Sequence, residues 1–137
     1  MKRSVVLLDT SVIIHALDLG VDIVDKIYEA VDGPVEVCVP DAVLRELERL
    51  ARLGSATKRR KARVAMMYLE RRRDRVRVVE APQGPVDEAI LRAAEAMGAI
   101  VATSDASLRR RAARRGLRVL FLWDSRKRVF EGGSYTE

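Results

Sequence analysis

Apolar residues along this chain fall into two alternating rhythms, short β-branched runs and longer stretches with helical spacing. The first run, Val5–Leu8, precedes a helical region from Ser11 to about Val31 that is interrupted near Gly20. The second half of that region sets Ile23, Val24, Ile27, Tyr28 and Val31 on one face, the period of an amphipathic helix. Asp32-Gly33-Pro34 is a turn, Val35–Val39 a second strand, and Pro40-Asp41 opens a helix to about Leu53 that Gly54 closes. A basic helix, Ala56–Arg73, turns Ala62, Ala65, Met66 and Leu69 inward, and Arg75–Val79 alternates charged and apolar residues as an edge strand does. Beyond the linker Glu80–Pro85 lie a helix (Val86–Met97), a strand (Ala99–Thr103), a helix (Ala106–Arg115, stopped by Gly116) and a strand (Arg118–Trp123).

Strands that alternate with helices predict an α/β fold built on a parallel sheet. The chain of 137 residues supports one core, so residues 1–123 are expected to form a single domain. Residues 124–137 form a polar tail, expected to be loosely held. Hydrophobic content of 48% beside 34% charged residues excludes a disordered chain. The net charge of +6 suits a polyanionic partner and equally suits a surface rich in arginine. A single cysteine, Cys38, excludes an internal disulfide and a cysteine-based zinc site, and its apolar neighbours mark it as a small buried hydrophobe. No apolar stretch reaches about 18 residues, and the first run is too short for a signal peptide. A cytoplasmic protein with no membrane partner is therefore expected.

Chemistry enters with four carboxylates: Asp9, Glu46, Asp87 and Asp105. Asp9 and Asp105 follow buried-strand patterns and precede helices, beside the hydroxyls of Thr10-Ser11 and Thr103-Ser104. Acids at the ends of parallel strands converge on the edge where open α/β sheets bind ligands. Each of the two also fits a helix N-cap. Asp87 falls on the wheel face defined by Ile90, Leu91, Ala94 and Met97, with Glu88 turned to solvent. An inward carboxylate needs a partner or a metal, although a cap after Pro85 is the alternative. Glu46 and Glu48 flank the apolar stripe of their helix at similar angles, and periodicity does not choose between them.

The lone His15 lies in an apolar helical stretch and reads as a satisfied, partly buried side chain. With one histidine, RNA cleavage through the 2′-hydroxyl by a histidine acid–base pair has no machinery. Carboxylates and hydroxyls do suit Mg²⁺ or Mn²⁺ held with several waters. Basic clusters at Lys58-Arg59-Arg60-Lys61, Arg71–Arg77 and Arg109–Arg115 supply candidate phosphate contacts, chiefly Arg109, Arg110, Lys58 and Arg59. Aromatic residues are only 4% of the chain, so platforms for base stacking are expected to be scarce.

Taken together, these segments resemble the PIN domain, a family of metal-dependent nucleases. Val6-Leu7-Leu8-Asp9-Thr10-Ser11 resembles its opening strand and first acid, and Val39-Pro40-Asp41-Ala42-Val43-Leu44-Arg45-Glu46-Leu47 the segment of its second, which selects Glu46. Val86-Asp87-Glu88-Ala89-Ile90-Leu91 resembles the third and Val101-Ala102-Thr103-Ser104-Asp105 the fourth, with Ser104 where the family often has asparagine. The resemblance implies a three-layer fold with about five parallel strands in the order 3-2-1-4-5. It also implies a single-strand-selective endoribonuclease in which water attacks the phosphodiester with Mg²⁺ or Mn²⁺. Asp9, Asp87 and Asp105 would be metal ligands, Glu46 would ligate or orient water, and Ser11 and Thr103 would support the ligands. Within the family the chain looks most similar to the archaeal and eukaryotic branch that matures small-subunit rRNA, with VapC-type toxins and a non-catalytic RNA-binding module as alternatives. The implied partners are single-stranded or structured RNA, a second copy in a homodimer, and either ribosome-assembly factors or an antitoxin.

Overall fold

The computed structural model describes residues 2–132. Its strands are β1 (Ser4–Leu8), β2 (Val35–Pro40), β3 (Val76–Val79), β4 (Ile100–Ala102), β5 (Val119–Trp123) and β6 (Arg128–Glu131). Its helices are α1 (Thr10–Leu19), α2 (Ile23–Ala30), α3 (Asp41–Leu53), α4 (Ala56–Arg71), α5 (Val86–Met97) and α6 (Ala106–Arg114). The strands form one sheet in the order β3-β2-β1-β4-β5-β6, parallel throughout except for β6. The expected order 3-2-1-4-5 is thus present, with a sixth strand added.

The sequence places β1 at the centre because Val6, Leu7 and Leu8 are apolar without alternation, and all three are fully buried. A strand covered on both faces needs apolar residues in both directions. Cys38 is buried in β2 as a small hydrophobe. The strand order reverses at β1: the chain runs outward through β2 and β3 on one side, then crosses back to β4 and β5 on the other. Right-handed crossovers from such a point leave a crevice at the carboxyl ends of the central strands.

The break foreseen near Gly20 separates α1 from α2. Gly20 takes φ +72° and closes α1, a conformation that costs a Cβ-bearing residue energy. Asp22 then caps α2, accepting from the N–H of Val24 (3.0 Å) and of Asp25 (3.4 Å). The same carboxylate accepts from the Tyr68 hydroxyl and, in a bidentate contact, from Arg72, so it ties α2 to α4. Burial alone raises the Asp22 pKa, but the bonds from Tyr68 and Arg72 outweigh it and hold the carboxyl below its usual range.

One expectation is corrected. Residues 124–132 are not a loose tail: after a turn at Asp124–Lys127 the chain returns as β6, antiparallel to β5. Val129 is buried opposite Leu122, Phe130 faces Phe121, and Glu131 forms two 2.8 Å hydrogen bonds with Arg118. Only Val129 and Phe130 are apolar in β6, too short a run to signal a strand by itself. The rest of the predicted tail, residues 133–137, lies outside the described residues. Among the described residues, no helix is long and apolar enough to cross a membrane.

Candidate active site at the sheet edge

Two backbone hydrogen bonds extend the central ladder past the strands and fix the site. The N–H of Asp9 donates to the Ala102 carbonyl (3.0 Å), and the N–H of Thr103 donates to the Leu120 carbonyl (3.0 Å). Asp9 and Thr103 therefore stand side by side at the carboxyl end of the sheet, at the reversal point. Asp9 is only 4% exposed and Thr103 is fully buried.

The Asp9 carboxylate is held by hydroxyls. Ser11 Oγ donates to Asp9 Oδ2 at 2.6 Å and Thr103 Oγ1 to the same oxygen at 2.8 Å, with the two hydroxyls 3.1 Å apart. Burial raises the Asp9 pKa; the Ser11 and Thr103 hydrogen bonds oppose the rise, and the nearby charge of Asp87 adds to it. Asp9 occupies the N-cap position of α1 but makes no capping hydrogen bond through its side chain. The capping alternative is thereby removed for this residue. Among the described residues, no cationic side chain pairs with Asp9.

The other acids take different places. Asp105 does cap its helix: its Oδ1 accepts from Ser107 N–H (2.8 Å) and Leu108 N–H (3.3 Å), and the residue is exposed. Its own N–H donates to Thr103 Oγ1 (3.0 Å), which links it to the Asp9 cluster. Asp87 lies in the first turn of α5, uncapped, with its side chain 42% exposed. The wheel expected an inward carboxylate. At the helix's open end it is a rim residue, close enough to Asp9 to repel its charge and 3.6 Å from Arg111. Glu88, expected to face solvent, is clasped by Arg115, just past α6, and by Arg111 of α6, whose hydrogen bonds lower its pKa. Glu46 is half-buried and accepts a hydrogen bond from Thr10 Oγ1, whereas Glu48 is exposed. Tertiary packing, which helical spacing does not reveal, sets Glu46 and not Glu48 against Thr10.

His15 is satisfied on both ring nitrogens, by Ser104 Oγ (2.6 Å at Nδ1) and by Asp124 Oδ1 at Nε2. Ser104 N–H in turn donates to Ser11 Oγ (2.9 Å), so His15 and Asp124 belong to the same network. No spacing in the sequence connects Asp124 to this edge; only the β5–β6 turn brings it there.

The basic residues divide. Arg109 sits on α6 directly after Asp105, with its guanidinium over the Phe121 ring at 4.9 Å, and Arg110 beside it is exposed. Lys58 is exposed at the opening of α4, but Arg59 donates to the Gly54 carbonyl (2.9 Å) and closes the α3–α4 corner. Arg72, Arg73, Arg75 and Arg77 are each paired with an acid.

The chemistry of the cluster fits a hard cation. All its side-chain donors are carboxylate or hydroxyl oxygens, and a buried, unpaired carboxylate is stabilised by positive charge. Among the described residues, no group of three or more His, Cys, Asp or Glu side chains is gathered tightly enough to cage an ion by itself. Mg²⁺ is compatible with that arrangement, because it binds through one or two carboxylates and keeps much of its water. Zinc is not.

Comparison with known proteins agrees with the geometry. Residues 6–126 match a family model described as a PIN like domain. The chain is 33% identical over 122 residues to ribonuclease VapC9 of Archaeoglobus fulgidus, covering 89% of this chain and 84% of that one. In structure it is similar to the PIN domain endonuclease Utp24, with a TM-score of 0.77 at 20% identity over 93% of this chain and 90% of that one. It is also similar to VapBC-1 from nontypeable Haemophilus influenzae, with a TM-score of 0.59 at 18% identity over 84% and 96% of the two chains.

Proposed function

Because the chain belongs to the PIN-like domain family, we propose that it is a divalent-metal-dependent endoribonuclease acting on single-stranded RNA. The observation that carries this reading is Asp9, a buried carboxylate at the reversal point of the sheet. Its charge is opposed by desolvation and by Asp87, and no cation of the chain offsets it among the described residues. Such a charge is kept for a ligand.

Asp9 and Asp87 would hold Mg²⁺ or Mn²⁺, with Asp105 contributing through Oδ2, since its capping bonds use Oδ1. When bound, the ion supplies positive charge at the phosphodiester and a more acidic water. Ser11 and Thr103 fix the Asp9 carboxylate through one oxygen, Oδ2, and so set its orientation. Glu46, held by Thr10 Oγ1, is placed to accept a hydrogen bond from the attacking water. Arg109 and Arg110 follow Asp105 on α6 and would steady the RNA backbone.

The test is cleavage of an end-labelled single-stranded RNA. Asp9→Asn or Asp87→Asn is expected to lower the rate at least about a hundredfold with the fold intact, and excess chelator should stop the wild type. Full activity in any of these cases would sink the reading. We assign the cellular role to small-subunit rRNA maturation, on the family segments around Glu46 and Asp87. A toxin role is the second reading, favoured by the 33% identity to ribonuclease VapC9. Accumulation of precursor rRNA on depletion supports the first; growth arrest on expression, relieved by a small adjacent gene, supports the second.

A further inference from the structure

Low aromatic content argued against base stacking, yet the fold gathers the chain's one tryptophan and both phenylalanines on a single face beside the active site. Phe121 and Trp123 are two residues apart on β5, so they point the same way, and antiparallel pairing sets Phe130 of β6 opposite Phe121. The residues between them, Leu122 and Val129, point into the core. Ring centroids lie 6.3 Å apart for Phe121–Trp123, 6.2 Å for Phe121–Phe130 and 5.2 Å for Trp123–Phe130, the last edge-on. Arg109 lies over the Phe121 ring at 4.9 Å and Arg126 over Trp123 at 5.7 Å. Trp123 remains 39% exposed.

A cleft of about 380 Å³ joins this cluster to the catalytic edge. Phe121, Trp123, His15, Asp105, Arg109 and Asp124 are among the residues that line it. We propose that this cleft is a binding subsite for an unpaired RNA base, stacked on Trp123 and delivered to the active site with its phosphate against Arg109. The proposal rests on the nuclease reading above and adds how the substrate is selected. An aromatic face with cationic groups at its margin matches the planar, π-faced base and its anionic linker. The Asp124 carboxylate, 74% exposed and bonded to His15 through Oδ1, adds its second oxygen within the cleft to meet the base edge. A duplex hides its base faces in the stack and cannot enter. Single-strand preference then follows from β6, the strand that completes the aromatic face.

The single tryptophan makes the test direct. In excess chelator, where no cleavage occurs, Trp123 emission is followed while a short single-stranded RNA is added, and binding is read separately by anisotropy of a labelled RNA. Saturable quenching is expected, absent with a duplex of equal phosphate count and with an abasic oligomer. Trp123→Leu should weaken single-strand binding about tenfold and leave duplex binding within about twofold; circular dichroism checks its fold. Binding without a change in emission, equal quenching by the duplex, or no RNA binding at all would overturn the subsite. Quenching without metal-dependent cleavage overturns the nuclease reading and keeps the subsite; cleavage without quenching does the reverse.

Discussion

At the scale of single residues, the two aspartates exchange places between sequence and fold. Asp87 looked inward on a helical wheel, but a wheel treats the helix as endless, and Asp87 occupies its open first turn with 42% of its side chain exposed. Asp9 looked like a cap and is the buried charge. The sign of its pKa shift has a consequence. Burial raises the native value, so the fold binds the proton more tightly than the unfolded chain does. The resulting stability is present below the ordinary aspartate pKa and is lost as pH rises through the elevated native value. Asp9→Asn keeps an acceptor for Ser11 and Thr103 while removing the charge. It is expected to raise the melting temperature at neutral pH by about 3–6 °C. Adding Mg²⁺ should stabilise the wild type and not the variant. A lower melting temperature for Asp9→Asn in scanning calorimetry would contradict this account.

At the scale of elements, the candidate active-site edge depends on how neighbouring helices are fastened. Arg111 of α6 and Arg115 at its end hold Glu88 and Glu95 of α5, and Arg111 also reaches Asp87, so the two helices that present Asp87 and Asp105 are bound to each other. On the far side, Asp22 caps α2 and anchors Tyr68 and Arg72 of α4. Its carboxyl is held low, so its contribution is present above the ordinary aspartate pKa and lost as pH falls through the depressed native value, the opposite sense to Asp9. Asp22→Ala removes the cap and leaves Arg72 without its acceptor. A loss of about 2–3 kcal/mol in urea unfolding at pH 7 is expected, with a smaller difference from the wild type near pH 3. A loss that stays constant between these two pH values would count against the charged network.

At the scale of the whole molecule, a net charge of +6 overstates the surface available to RNA. Arg72, Arg73, Arg75 and Arg77 of the first cluster, and Arg111 and Arg115 of the last, are committed to acids of this same chain. Near the site the chain presents a short basic margin around Arg109, Arg110 and Arg126. Few phosphates should be neutralised, so the dependence of log affinity on log salt should have a slope of about −1.5 to −3 for single-stranded RNA. Titration between low and moderate salt checks this, and a slope steeper than about −5 would mean that the arginine runs act as a continuous phosphate track.

Periodicity and punctuation determined a great deal of this protein by themselves. Unalternating apolar runs specified buried parallel strands, Gly20 marked the helix break, and the position of Asp9 and Asp105 after strands β1 and β4 marked the edge where acids were expected. These are local properties, fixed by which residues a strand or helix can bury. The tertiary structure alone decided which carboxylate is desolvated, that Glu46 rather than Glu48 meets Thr10, and that Asp124 reaches His15. It alone turned part of a polar tail into β6 and assembled three scattered aromatics into one face. Each of those outcomes depends on contacts between segments far apart in the chain, and pairing across a sheet leaves no period in the sequence for a reader to find.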